Sequence, residues 1–368
     1  VESNKKTVLI SGYYGFGNSG DEAVLLSILD AIQQQNKTYS QETQVEPVVL
    51  SQNPLQTEET YGVRAVHRFK SPALIKAIKE CDGLISGGGS LLQDVTSSRS
   101  IPYYLGVLRL AQWMKKPTFI YAQGVGPIQR KLFRSWTAKV ANQAAYISVR
   151  DEQSLALLQE SGVTKAIDMV PDPVLGVLNK NGSGEFSHAL PRVGISVRFW
   201  KEDRSDLDRI AAGLYAAYQQ RKVEFVFIPF HQPTDMEASK YTMEKLRQYA
   251  SSIPCSMLTT SFHPQNIICE VKSCDILVGM RLHSLIYAAT QQVPMVGISY
   301  DPKIDQFLSQ LDMQPIGDVN HIDAERMGNE IIYLLDHKQA WQKDKQQRIE
   351  TLQKKSQIPA QQIHKLLR

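Results

Sequence analysis

The chain has 368 residues, 42% of them hydrophobic and 21% charged, a globular mix that excludes a disordered or fibrous protein and leaves room for two domains. Lys and Arg number 41 against 37 Asp and Glu, a formal charge of +4 that suits an anionic substrate or an acidic membrane surface but excludes the dense basic patch of a nucleic-acid binder. Cys81, Cys255, Cys269 and Cys274 have neither zinc-site spacing nor the density of a disulfide scaffold, and no apolar run approaches the length of a membrane span, so a reduced, cytoplasmic protein is expected.

Thr7 to Ser11 reads as the first strand. A loop with glycines at 12, 15, 17 and 20 follows, then a helix from about Asp21 to Gln34. Strand, glycine loop and helix is the arrangement that cradles phosphates, yet the spacing is neither GxGxxG nor a GK[ST] loop, so no nucleotide is assigned from it. The glycines mean a backbone that comes close to something, with Asn18 and Asp21 as side-chain contacts or helix caps. Further strands are predicted at Glu46–Leu50, Val63–His67, Gly83–Ser86, Thr118–Ala122 and Tyr146–Val149, alternating with helical patterns, which argues for a mainly parallel sheet. Three of them run into polar or glycine-rich ends: Ser86 to Ser90 with Asp94 beyond, Gln123 to Pro127, and Arg150-Asp151. All would emerge on one carboxyl edge, where open α/β sheets bind ligands.

Residues 179–185, NKNGSGE, form a short polar stretch after Pro171-Asp172-Pro173, and the domain boundary and a hinge are placed there. The pattern then restarts, with strands at Val193–Val197 and Glu224–Pro229 and helices at about Asp203–Gln219 and Asp235–Ala250. A short strand near Ser256 and a helix at about Gln265–Ser273 precede Asp275. Ile276 to Val278 form a continuous apolar run of the kind a doubly buried parallel strand shows, and Gly279 turns the backbone into a helix starting near Leu282. Arg281 and His283 thus fall on a first turn, beside exposed N–H groups and the positive dipole end. A guanidinium there can fork onto phosphate or carboxylate, and an imidazole can move a proton near neutral pH. Pro294–Ser299 is another strand, and Lys303, just beyond Pro302, can reach the same anion as Arg281.

The segment Lys79 to Ile85 echoes Lys272 to Val278: helix end, Cys-Asp, buried strand, glycine. This supports two sheets of one architecture. The chain is accordingly divided into an N-terminal Rossmann-like domain, 1–178, a C-terminal one, 186–335, and a helical tail, 336–368, rich in Lys, Arg and Gln and read as a packing helix with a solvated face.

The ordered set GYYGFGNSGDE, DGLISGGGSLLQD, AQGVGP, SVRDEQS, PDPV, GISVR, GMRLHSLIYAA and SYDPKID resembles the polysaccharide pyruvyl transferases, most closely their bacterial CsaB-type branch, from Ser11 to about Asp305. The resemblance implies an α/β, GT-B-like fold of two Rossmann-like domains with mainly parallel sheets facing a central cleft. It also implies phosphoenolpyruvate as donor, held by Arg281, Leu282, His283 and Arg198. The acceptor it implies is a sugar offering two hydroxyls, O4 and O6 of an N-acetylmannosamine on a lipid-linked cell-wall precursor met at the inner membrane surface. Ketal formation needs the enolpyruvyl methylene protonated, and His283, with a reference pKa of about 6.5, suits that acid role. Acceptor contacts are expected from Asn18, Gln123 and Arg150, with Asp94 preferred as the base. No metal and no resident cofactor are demanded. A nucleotide-sugar glycosyltransferase or sugar epimerase is the competing enzyme reading, and a non-catalytic sugar or phosphate binder a third.

Overall fold

The computed structural model describes residues 4–39, 43–95, 99–179, 188–259 and 263–368. They form two compact units, one of residues 1–178 with 352–368 and one of residues 179–351. Each is built on a wholly parallel sheet. The N-terminal sheet comprises β1 (Asn4–Tyr14), β2 (Thr43–Ser51), β3 (Arg64–His67), β4 (Gly83–Gly87), β5 (Thr118–Gln123), β6 (Tyr146–Val149) and β7 (Asp168–Met169), in the order β3-β2-β1-β4-β5-β6-β7. The C-terminal sheet comprises β8 (Arg192–Ser196), β9 (Glu224–Phe227), β10 (Cys255–Met257), β11 (Ile276–Gly279), β12 (Met295–Ser299) and β13 (Gly317–Asp318), in the order β10-β9-β8-β11-β12-β13.

The central strands are largely apolar because helices cover both faces. Every residue of β4, β5, β11 and β12 is buried. The expected alternation of strand and helix is observed in both units. The two-residue edge strands β7 and β13 had no sequence signal of their own, being too short to show a period. The expected boundary stretch lies largely outside the described residues, at 180–185.

The tail is not a separate body. Its last helix, Ile358–Leu367, joins the N-terminal unit, where the buried His364 donates from Nε2 to the Thr43 carbonyl (3.0 Å) and Arg368 lies 3.7 Å from the centroid of the Tyr39 ring. Apolar residues Ile363 and Leu367 are buried there, a gain that a solvated helix would forgo.

The echo between the halves has a structural basis. In the N-terminal sheet the Asp82 carboxylate accepts from Thr7 N (2.8 Å) while Asp82 N donates to Thr7 O (2.7 Å). In the C-terminal sheet Asp275 does the same with Arg192, at 2.9 and 2.8 Å. The preceding cysteines, Cys81 and Cys274, are buried and each donates its thiol to a carbonyl of the helix before it. Each Asp therefore ties the start of one central strand to its neighbour, and each Cys ties it to the preceding helix.

Candidate functional site

In the C-terminal unit, β8, β11 and β12 lie side by side with Ser196, Gly279 and Gly297 in register, so whatever follows them shares one carboxyl edge. Gly279 is required where it stands: a Cβ there would lie 2.5 Å from the Ser284 hydroxyl, which donates to the Arg281 carbonyl. Arg281 is the N-cap of the helix Leu282–Thr290, and Leu282 and the half-buried His283 are its first two residues.

The Arg281 side chain is fixed by a residue that the sequence marks only as a helix start. Asp235, fully buried, accepts from Arg281 Nε (3.0 Å) and pairs with its Nη2. The same carboxylate takes the backbone N–H groups of Phe230 and His231, at 3.2 and 3.0 Å, just past β9. A buried carboxylate needs such a set of donors, and four of them orient the guanidinium rigidly. The available signal was spacing: an Asp in the first turn of a helix that begins just past a strand end.

Arg198, two residues beyond β8, donates to the Tyr300 hydroxyl (3.1 Å) and lies 4.9 Å from the Tyr300 ring and 5.4 Å from that of Trp200. Aromatic faces hold a guanidinium in place without neutralising it, so its charge stays available to an anion. Lys303 is the second residue of the helix Pro302–Gln310, capped by Asp301, which accepts from Lys303 N at 3.0 Å. The unit thus brings Arg198, Arg281, His283 and Lys303 to the ends of three adjacent strands.

In the N-terminal unit the expected residues are already committed to structural partners. Asn18 caps the helix Ser19–Thr38, accepting from Gly20 N at 3.0 Å. Gln123 is fully buried between the Ser86 hydroxyl and the Gly88 carbonyl. Arg150 pairs with Asp172 (2.5 Å) and donates to the Ser90 hydroxyl (3.0 Å). Asp94 accepts from the N–H groups of Gln129 and Arg130, at 2.8 and 3.0 Å. Partial desolvation works to raise its pKa, but those two donors outweigh it and hold the carboxyl below its ordinary value, which weakens it as a base.

The triple glycine serves helix packing. A Cβ at Gly88 would lie 2.1 Å from Val24 and one at Gly89 3.0 Å from Asp21, both on the helix Ser19–Thr38, and both glycines have positive φ. Asp21 itself is different from its neighbours. Desolvation pushes its carboxyl up to about 7, against the opposing pull of Arg150. Close by, the buried Arg68 donates to the Gly12 carbonyl (2.7 Å) and the Tyr104 hydroxyl (3.1 Å) and stands within 5.4 Å of four aromatic rings. Nothing in the sequence distinguished Arg68 from a surface arginine. Among the described residues, no group of three or more His, Cys, Asp or Glu could hold a metal, and no helix is long and apolar enough to cross a membrane.

Two Rossmann-like units, with cationic and titratable side chains at the carboxyl ends of their strands, define an α/β enzyme of the GT-B-like type. Solved structures agree on the fold. A putative UDP-N-acetylglucosamine 2-epimerase from Listeria monocytogenes superposes with TM-score 0.64 at 12% identity, covering 98% of this chain and 95% of its own. A glycosyltransferase from Rickettsia africae gives 0.64 at 10% identity, covering 100% and 98%.

Sequence comparison is more specific. Residues 18–302 match the polysaccharide pyruvyl transferase family, and the chain belongs to that family. It is also 21% identical to the amylovoran biosynthesis protein AmsJ of Erwinia amylovora, over 83% of this chain and 86% of that one.

Proposed function

We propose that the enzyme transfers the enolpyruvyl carbons of phosphoenolpyruvate, as a ketal, to two hydroxyls of a sugar, O4 and O6 of an N-acetylmannosamine in a lipid-linked cell-wall precursor, with release of phosphate. The observation that carries this reading is Arg281, locked by Asp235 onto the same helix start as His283, with Arg198 and Lys303 following the flanking strands. Phosphoenolpyruvate bears a phosphate and a carboxylate, and cations on separate strand ends match two anionic groups better than one. His283 protonates the methylene, C2 becomes oxocarbenium-like, and the first hydroxyl attacks it. The second hydroxyl then displaces phosphate, whose departing charge the arginines stabilise.

The test is phosphate release by the purified protein from phosphoenolpyruvate, with and without a lipid-like N-acetylmannosaminyl disaccharide, with the acceptor mass followed in parallel. Acceptor-dependent release with a mass gain matching a pyruvyl ketal is the expected result. Ketal formation on a galactoside alone would keep the reaction and discard the cell-wall acceptor. Turnover of a UDP-sugar without phosphoenolpyruvate would overturn the reading in favour of a nucleotide-sugar enzyme.

A further inference from the structure

In the C-terminal sheet β8 and β12 flank β11, and the side chains just past them close over its carboxyl end, where Arg198 Nη1 donates to the Tyr300 hydroxyl at 3.1 Å. The Trp200 ring stands beside this bridge. It lies 4.7 Å from the Tyr300 ring and 5.4 Å from the guanidinium, and is 49% exposed. The loop that carries it is pinned on its far side: Arg204 lies 4.8 Å from the Phe199 ring and 5.0 Å from that of Tyr241, and its N–H donates to the Lys201 carbonyl at 3.2 Å. Trp200 is therefore held at the bridge from both ends of its loop.

Two hydrogen-bond donors of the bridge are left over. Arg198 pairs with no carboxylate among the described residues: Nη1 goes to Tyr300, Nε leans on the Phe199 carbonyl at 3.4 Å, and Nη2 has no partner among them. The Tyr300 hydroxyl accepts from the guanidinium, and its own proton has no acceptor among the described residues. A phenol in that position is polarised towards donating, because hydrogen bonds in a chain strengthen one another. Arg281 differs in kind, since the buried Asp235 already supplies its counter-charge. The part of phosphoenolpyruvate that gains charge as the reaction proceeds is the phosphate, and the cation without a counter-charge suits it better than the one that has it.

We propose that Arg198 and Tyr300 form the phosphate subsite of the donor, with the Tyr300 hydroxyl donating directly to a phosphate oxygen and the Trp200 ring walling its open side. The inference deepens the pyruvyl-transfer reading and rests on it for the identity of the donor. The oxyanion site itself rests on the bridge and its two unused donors, all within the C-terminal unit.

The experiment uses the whole protein and titrates it with inorganic phosphate and with pyruvate, which stand for the two anionic ends of the donor. Binding is read by phosphorus NMR line broadening and by tryptophan fluorescence, where the response of Trp200, one of four tryptophans, is the part that Trp200→Phe lacks. Phosphate is expected to give a saturable Trp200 response, and pyruvate none at the same concentrations. Tyr300→Phe keeps the ring and removes the hydroxyl. It is expected to weaken phosphate about tenfold and to raise the KM for phosphoenolpyruvate by a similar factor, at an unchanged melting temperature. The same weakening is expected in an Arg198→Lys background, and its absence there would overturn direct contact by leaving Tyr300 only to position the guanidinium. Equal phosphate affinity in wild type and Tyr300→Phe overturns the subsite, as does a Trp200 response to pyruvate that phosphate fails to give. Phosphate binding that depends on Tyr300, in a wild type that transfers no pyruvyl group, keeps the subsite and drops the reaction. Pyruvyl transfer by Tyr300→Phe at the wild-type KM keeps the reaction and drops the subsite.

Discussion

Asp82 and Asp275 perform one task in two sheets, each clasping the first residues of the neighbouring strand through its carboxylate and its own N–H. At the other end of the same strands the sheets diverge. The C-terminal unit places Arg198, Arg281, His283 and Lys303 there, with Arg281 held by a buried carboxylate and Arg198 by two aromatic rings. The N-terminal unit pairs Arg150 with Asp172, as the C-terminal unit pairs Arg281 with Asp235, but it buries Gln123 and leaves the Asp21 carboxylate desolvated. The difference teaches that the amino edge of a parallel sheet answers to hydrogen-bond satisfaction, which is the same problem twice. The carboxyl edge, where open α/β sheets bind ligands, is free of that constraint, and under the proposed reaction a dianionic donor and a sugar would call for unlike edges.

That contrast can be broken experimentally, and the largest effect is expected at His283. Replacing it with Ala should lower kcat about 100- to 10,000-fold while leaving the fold intact, as judged by an unchanged melting temperature; retention of turnover would remove the acid from the C-terminal edge. Next comes Asp235→Asn, which leaves the guanidinium of Arg281 without its counter-charge. A loss of about 3 kcal/mol in urea-derived stability and a raised KM for phosphoenolpyruvate are expected together, since one carboxylate serves both fold and site.

The staples should differ by less. Asp275 also receives Lys338 Nζ at 2.7 Å, and although desolvation raises its pKa, that bond and the Arg192 N–H together lower it below the ordinary range. A carboxyl with a depressed native pKa stabilises the fold above its unfolded value of about 3.9 and loses that contribution as pH falls through the native one. Asp275→Asn should therefore cost about 1 kcal/mol at pH 7, more than Asp82→Asn, with the gap closing below about pH 4 in denaturant titrations.

The remaining effect has the opposite sign. Asp21, raised to about 7, keeps in the native state a proton that the unfolded chain releases near 3.9, so stability falls as pH rises from about 4 to about 7. Asp21→Asn should flatten this slope, and melting temperatures measured across that range would show a steeper decline in the wild type; parallel curves would mean that Asp21 is solvated like an ordinary carboxylate.

Much of this protein was determined by its sequence alone. Continuous apolar runs such as Ile276 to Val278 require burial on both faces, so strand order in the chain and the parallel sheets follow from local pattern. Gly279 and the first-turn position of Arg281 and His283 follow from the strand-to-helix switch, which is also local. The ordered motifs carry the family resemblance on their own. Tertiary structure alone decided which polar groups meet. Asp235 finds Arg281 across 46 positions and Arg68 finds Tyr104 across 36. Asp94, Gln123 and Arg150 have partners in other strands and loops, brought near only when the sheet assembles. Asp21 acquires its unusual basicity in the same way, from desolvation by surroundings that the packed unit creates. Burial and charge pairing depend on where distant segments come to lie, and periodicity within a window of sequence carries no record of that.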